Sequence, residues 1–376
     1  MTTTAIKNHK EAHIDIIIEP GDKFDEGCLF LEKLIVQEND ELDKNDFLTL
    51  RGKPFYKIKN GIYRIIFNLF VVEKIFKGIY FLLRNVNKNL PEGSRIKEIK
   101  SFYGEEFSEK VLCYKVIESI YLENCIRFSG KDLADRKIDA APDYYVRKGK
   151  NILLFESKDF LIAAEKKMSF DFAVYEEEFG RILDYEELPD GKIKPKAIMQ
   201  LINNVRRVLK NQFTADTNYY YKDVFIYPVL ITHDLQFDAV GFNELIDFWF
   251  QDALSELENE GLFVHHVKPL SVVNIDSIIY NQVGLSKHIF LHDVLSEYQQ
   301  SKIIPKQKKK IVKTQEEYEQ FMEDFKQRKM STVIPFSLFI DRFFKEHNLW
   351  KLPPLLDIVA PNLFKEEYEE GKYTKR

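Results

Sequence analysis

Apolar, β-prone positions cluster in two short runs, residues 143–146 and 152–155, on either side of Lys148-Gly149-Lys150-Asn151. β-prone runs flanking a glycine-bearing turn predict a β-hairpin. A loop centred on Gly149 and Lys150 sets Lys148 opposite Asn151. The same register carried outward sets Asp143 opposite Glu156, at about 5 Å between Cβ atoms. Glu156 and Lys158 are two apart in a strand and so share a face. A slip of one residue would turn Asp143 to the other side of the sheet.

Helical spacing governs much of the remainder. Over residues 63–84, Ile65, Ile66, Leu69, Phe70, Ile75, Phe76, Ile79 and Tyr80 keep it, while Arg64, Glu73, Lys74 and Lys77 interrupt the apolar run. Ionised groups are expensive at bilayer depth, so this is a buried amphipathic helix, not a membrane span. Before it, residues 12–18 alternate like a strand and 37–46 form an acidic loop; after it, 85–93 punctuate a linker with Pro91 and Gly93. A helix over 105–122 places Leu112, Cys113, Val116 and Ile120 on one stripe with Glu109 near its middle, and Phe107, Val111 and Tyr114 on a second apolar face. Residues 125–128 read as a strand and 176–178, three glutamates, as a solvated face. Pro195 opens a helix with Ile198, Leu201, Ile202, Val205, Val208 and Leu209 inward and Lys196, Gln200, Asn203, Asn204 and Arg207 outward. Residues 224–231 form a strand in which Pro228 signals an edge or a bulge. Residues 242–257 are helical and aromatic, a surface for packing or self-association, and 330–376 are helical with a break at Pro353-Pro354.

Composition adjusts this outline only slightly. The 376 residues suit two or three domains, and 45 % hydrophobic with 31 % charged residues describes a folded chain. A net charge of −5 argues against a broadly basic nucleic-acid coat but leaves room for a local basic groove. Cys28, Cys113 and Cys125 form no CxxC pair, which fits a reducing cytoplasm without structural zinc. The N-terminal residues lack the apolar core of a signal peptide, so the expected location is cytoplasmic, with no membrane partner. The lysine-rich stretch 302–313 is either a phosphate-contacting loop or a solvated linker. His265-His266 and the His288/His292 pair lack the glutamate of a HExxH zinc site, and no P-loop, GxGxxG or GxSxG is present.

The chemistry concentrates at the hairpin. Two carboxylates brought together repel, and one takes a proton or both bind a cation. Oxygen ligands in this number suit Mg²⁺, which keeps several waters and takes one or two protein carboxylates. The plain alternative is a surface hairpin with ordinary salt-bridging charges. Pro142-Asp143, twelve intervening residues, then Glu156-Ser157-Lys158 resembles the PD-(D/E)XK, or restriction-endonuclease-like, nuclease superfamily. The likeness extends over residues 105–234, whose helix, hairpin, helix and strand follow the order of that core.

What the resemblance implies is an α/β fold: a mixed central sheet flanked by helices over 95–235, an N-terminal accessory region over 1–94, and a mainly helical region over 236–376. It implies a Mg²⁺-dependent endonuclease, with Mn²⁺ as substitute. Asp143, Glu156, the Ser157 carbonyl and Glu109 (or Glu105, one turn earlier) would hold the metal, and Lys158 would position water and stabilise the phosphate. Gln200 matches the glutamine that many members carry on the next helix; with Arg206 and Arg207 it could instead hold phosphates. DNA is the expected substrate, in bacterial restriction, phage defence or repair, alone, as a homo-oligomer or with a partner protein. The rivals are a catalytically silent module of the same fold, kept for nucleic-acid binding or scaffolding, and an RNA nuclease.

Overall fold

A computed structural model describes residues 13–42, 48–188, 190–303 and 314–351. These fall into two units, one drawn from 13–99 and 163–170, the other from 100–162 and 171–351.

The first unit is a three-stranded antiparallel sheet of order β1-β3-β2, with β1 at Asp15–Ile17, β2 at Phe55–Lys59 and β3 at Ile62–Ile65. Asn60 and Gly61 turn β2 into β3, and Gly61 takes the positive φ (79°) that such a turn requires. Ile16, Phe55 and Tyr63 from the strands close a small core with Leu31 of helix α1 (Phe24–Glu32) and Val71 of helix α2 (Asn68–Asn89). The single helix expected over 63–84 is thus corrected. Tyr63 is fully buried in a strand, and the helix starts at Asn68 and runs to Asn89 through the first part of the expected linker. Residues 43–46 of the expected acidic loop lie outside the described residues. Among the described residues no helix is long and apolar enough to cross a membrane.

The second unit is mixed α/β, built on a five-stranded sheet of order β8-β7-β6-β5-β4. Its strands are β4 (Ile126–Ser129), β5 (Tyr144–Lys148), β6 (Asn151–Lys158), β7 (Phe225–Thr232) and β8 (Ser271–Asn274). β4, β5 and β6 run antiparallel, whereas β6, β7 and β8 are parallel. Parallel strands carry helices on both faces, and β6 is accordingly buried from Ile152 to Ser157. On one face Tyr145, Ile152, Leu154 and Leu230 pack on helix α5 (Ala197–Leu209) and helix α6 (Phe242–Asn259). On the other, Tyr144, Leu153, Phe155 and Ile231 pack on helix α3, π-wound over Gly104–Cys113 and α-helical over Tyr114–Ile120. Helices α7 (Ile275–Tyr280), α8 (Leu291–Ser301) and α9 (Phe336–Glu346) cover the same face. The sheet therefore reaches past residue 235: its fifth strand and much of its cover come from the region expected to be mainly helical.

Three local expectations change. Pro228 lies in an interior strand, opposite Leu154. Ile226 directs its amide and carbonyl at His266 and Lys268, and Pro228, two residues on, turns its donorless nitrogen the same way. There β8 has not yet begun, since its first pair is Ser271 with Val229, so no ladder bond is lost. Glu178 is 8 % exposed and takes the Arg181 guanidinium at 2.8 Å, so only Glu176 and Glu177 are solvated. α5 starts at Ala197, because Pro195 ends a short strand instead of opening the helix. Residues 304–313 of the lysine-rich stretch, and Pro353-Pro354, lie outside the described residues.

Leu201, fully buried on α5 against the sheet, gives a test of this core. Leu201→Ala should cost about 3 kcal/mol in urea unfolding; a loss under about 1 kcal/mol would contradict the packing described.

Candidate functional site

The hairpin forms in the expected register, from Lys148 opposite Asn151 to Tyr144 opposite Phe155, with Gly149 at φ 59° in the turn. The ladder ends there. One step further, the side chain of Asp143 replaces a backbone acceptor: its Oδ2 takes the Ser157 amide at 2.7 Å. In a strand, the N–H and C=O of one residue point to the same side, so the Ser157 carbonyl also faces the Asp143 end of β5. Continuing the register puts Pro142 opposite Ser157, and proline has no N–H to offer. The carbonyl is thus left without a ladder donor beside the Asp143 carboxylate.

Glu156 is fully buried. Its Oε1 accepts from Lys158 Nζ at 2.7 Å, while Oε2 is buried with no hydrogen-bond partner. Lys158 keeps 26 % of its side chain exposed. From α3, Glu109 completes the group; its Oε1 accepts from the Tyr114 hydroxyl at 2.8 Å. Glu105, its substitute, instead pairs with Lys110 on the surface. The structure therefore brings Asp143, Glu156, Ser157, Lys158 and Glu109 together.

Three carboxyls face one ammonium in this corner, and their ionisation follows. Burial and the charge of Asp143 push Glu156 up to about 8, against the pull of Lys158. Burial and Asp143 push Glu109 up to about 7, against the Tyr114 hydrogen bond and Lys158. Asp143 is also raised by burial, opposed by Lys158 and the Ser157 amide. Burial alone would lower Lys158, but Glu156 and Asp143 outweigh it and hold the ammonium above its usual range. Such a corner takes up protons or a cation. Among the described residues no three His, Cys, Asp or Glu side chains are gathered into a ready metal cage. The donors that do converge are the unpartnered Glu156 oxygen, the Asp143 carboxylate and the Ser157 carbonyl. They fit a hard cation that retains most of its water.

Several neighbours were not singled out from the sequence. Gly130 donates its amide to the Asp143 carbonyl at 2.7 Å. A Cβ on Gly130 would lie 2.8 Å from the Tyr114 hydroxyl and 3.2 Å from the Asp143 carbonyl oxygen, so a larger residue there would have to displace the hydroxyl that reaches Glu109. His233, directly after β7, pairs its Nε2 with Ser157 Oγ at 2.8 Å, and burial pushes it down to about 4, leaving it neutral. Asp159 holds Lys100 Nζ at 2.5 Å and Ser108 Oγ at 2.7 Å. Sequence spacing carries no trace of these contacts, because each joins elements far apart in the chain. Gln200 is half-buried on α5, and its side chain makes no hydrogen bond to Asp143, Glu156 or Lys158; its backbone carbonyl accepts from Asn204 Nδ2 at 2.9 Å. Arg206 is taken up by Asn203 at 2.7 Å and Glu260 at 2.9 Å. His292 packs against both Tyr121 and Phe290, and His266 packs on Phe225.

Because Glu156 is raised on folding, its protonated form stabilises the metal-free protein fully below about pH 4.5, and that stability is lost as pH rises through about 8. The melting temperature of wild type relative to Glu156→Gln should therefore fall across that window, by the equivalent of about 5 kcal/mol. Millimolar Mn²⁺ at pH 8 should restore it in wild type alone; parallel pH curves for the two proteins would refute this assignment. Gly130→Ala should push Tyr114 off Glu109 and weaken Mn²⁺ binding in calorimetry, whereas Gly149→Ala, in the open turn, should leave it unchanged. Compared with protein-family models, with curated proteins and with solved structures, the chain matches none.

Proposed function

We propose that the second unit is a PD-(D/E)XK nuclease core and that the protein hydrolyses phosphodiester bonds in DNA with Mg²⁺. The observation that carries this reading is the fully buried Glu156, with one oxygen on Lys158 and the other unpartnered beside Asp143. A structural salt bridge would satisfy both oxygens, and a surface hairpin would not bury them. The order of motif and elements, from α3 through the hairpin and α5 to β7, supports the family; the motif's likeness to that superfamily supports DNA as substrate.

Asp143, Glu156 and the Ser157 carbonyl would hold the ion, with Glu109 completing the protein's contribution. When bound, Mg²⁺ supplies a Lewis acid that polarises the phosphate and lowers the pKa of a coordinated water. The chain's own contribution is positional. In the metal-free protein Lys158 is held charged by its carboxylate neighbours, which suits it to donate. Its partly exposed ammonium orients the attacking water and stabilises charge growing on the phosphate oxygens as the P–O bond to the sugar breaks. Glu156 fixes that ammonium at 2.7 Å, and the Ser157 amide fixes Asp143.

Incubation of plasmid DNA, and in parallel single-stranded DNA and RNA, with Mg²⁺ or Mn²⁺ tests the reading. Wild type should cleave DNA, and Asp143→Ala and Lys158→Ala should each lose about 100-fold or more in rate. Binding without cleavage by all three proteins would make this a silent module; cleavage confined to RNA would move the substrate class.

A further inference from the structure

The loop entering the site is gripped from outside. Ala140, three residues before Asp143, sits at φ 48°, a left-handed conformation that a residue with a Cβ rarely adopts. Its carbonyl accepts from Asn204 Nδ2 at 3.2 Å and from Arg207 Nη1 at 3.0 Å, both on α5. Arg207 Nη1 also reaches Asn204 Oδ1 at 3.3 Å, and Asn204 Nδ2 donates to the Gln200 carbonyl. The three groups form a closed triangle, and Asn204 is fully buried within it. Between this grip and Asp143 stand only Ala141, packed against the core, and Pro142, buried with its φ fixed by the ring. Movement of the Ala140 carbonyl has little slack in which to dissipate before it reaches the carboxylate.

We infer that Asn204 and Arg207 are positioning residues that set the Asp143 carboxylate by holding the Ala140 carbonyl. Arg207 therefore serves the loop and not the substrate's phosphates. Left-handed alanine would relax toward ordinary backbone if released, and two donors on one carbonyl oppose that relaxation. The inference deepens the nuclease reading and depends on it only for its kinetic half.

Asn204 is too deeply buried for a clean first variant, so the test uses the full chain with Arg207→Lys and Arg207→Gln, checked by thermal melting. Lysine keeps the charge, but its shorter stem does not carry a donor as far as Nη1, the one nitrogen that serves both acceptors. Positioning predicts faster amide hydrogen exchange over residues 138–143 in both variants. It also predicts a fall in kcat of about tenfold in both, with KM for DNA and its salt dependence unchanged. A phosphate contact predicts the opposite split: Arg207→Lys close to wild type, Arg207→Gln raised in KM and flattened in salt dependence. That split, or unchanged exchange in both variants, overturns the inference. If wild type cuts no nucleic acid, the exchange measurement still decides the grip, and the missing cleavage counts against the nuclease reading alone.

Discussion

An excess of negative charge, largely withdrawn from water, is the constraint around which the second unit is arranged. Asp143, Glu109 and Glu156 share one corner with a single ammonium, and Glu156 has no exposed surface at all. A buried ion pair offsets its own desolvation only when its remaining valences are met. Here one carboxylate oxygen is left over, so the corner is incomplete as a purely structural device. The surrounding fold accepts this defect because β6 is clamped along its length, by β5 on one side and β7 on the other. The hydrophobic sheet supplies the stability that the charged corner withholds.

Topology then gives the defect its address. β6 and β7 are parallel and end side by side, Lys158 opposite Thr232, and crevices beyond the carboxyl ends of parallel strands are where α/β sheets bind ligands. On the other flank, β5 begins opposite Phe155, three residues short of the end of β6, and Pro142 withholds the donor that would have closed the ladder. A chain that simply extended the hairpin by one ordinary pair would occupy the Ser157 carbonyl and free the Asp143 side chain to turn away. Opening at that point is a product of backbone chemistry as much as of side-chain charge.

The hairpin register was legible in the sequence because two β-prone runs and a glycine turn between them fix it locally. The burial of Glu156 was less so, since nothing in Phe155-Glu156-Ser157 states that helices cover both faces. On α3, the stripe drawn at 100° per residue named Leu112, Cys113, Val116 and Ile120. Cys113 and Ile120 are buried as drawn, but Leu112 and Val116 are only partly so, and Tyr114 and Ile117 join the core; the π-winding over Gly104–Cys113 turns fewer degrees per residue and shifts the phase. Glu109 survived that shift, and its partner Tyr114, assigned to another face, did not. Asn60-Gly61 carried a strong hairpin signal that helical spacing in the following residues obscured. β8 was invisible for a different reason: four buried residues, Ser271–Asn274, have no alternation to read. Asn204 looked like one more polar residue on a helix flank until Ala140, 64 positions away, came to meet it.

The late arrival of β8 has a consequence for biosynthesis. A chain emerging from the ribosome has its hairpin and β7 in hand by Thr232, yet the edge of β7 is unpaired until Ser271–Asn274 appears. The face over Phe155 and Ile231 lacks Phe336, Ile340 and Phe344 of α9 for another sixty residues or so. The nascent polypeptide thus carries its full set of acidic and basic groups long before the scaffold that aims them exists. The charged corner would be firmly seated only once α9 has been made, and a chain cut short after the motif would leave the face over Phe155 and Ile231 bare.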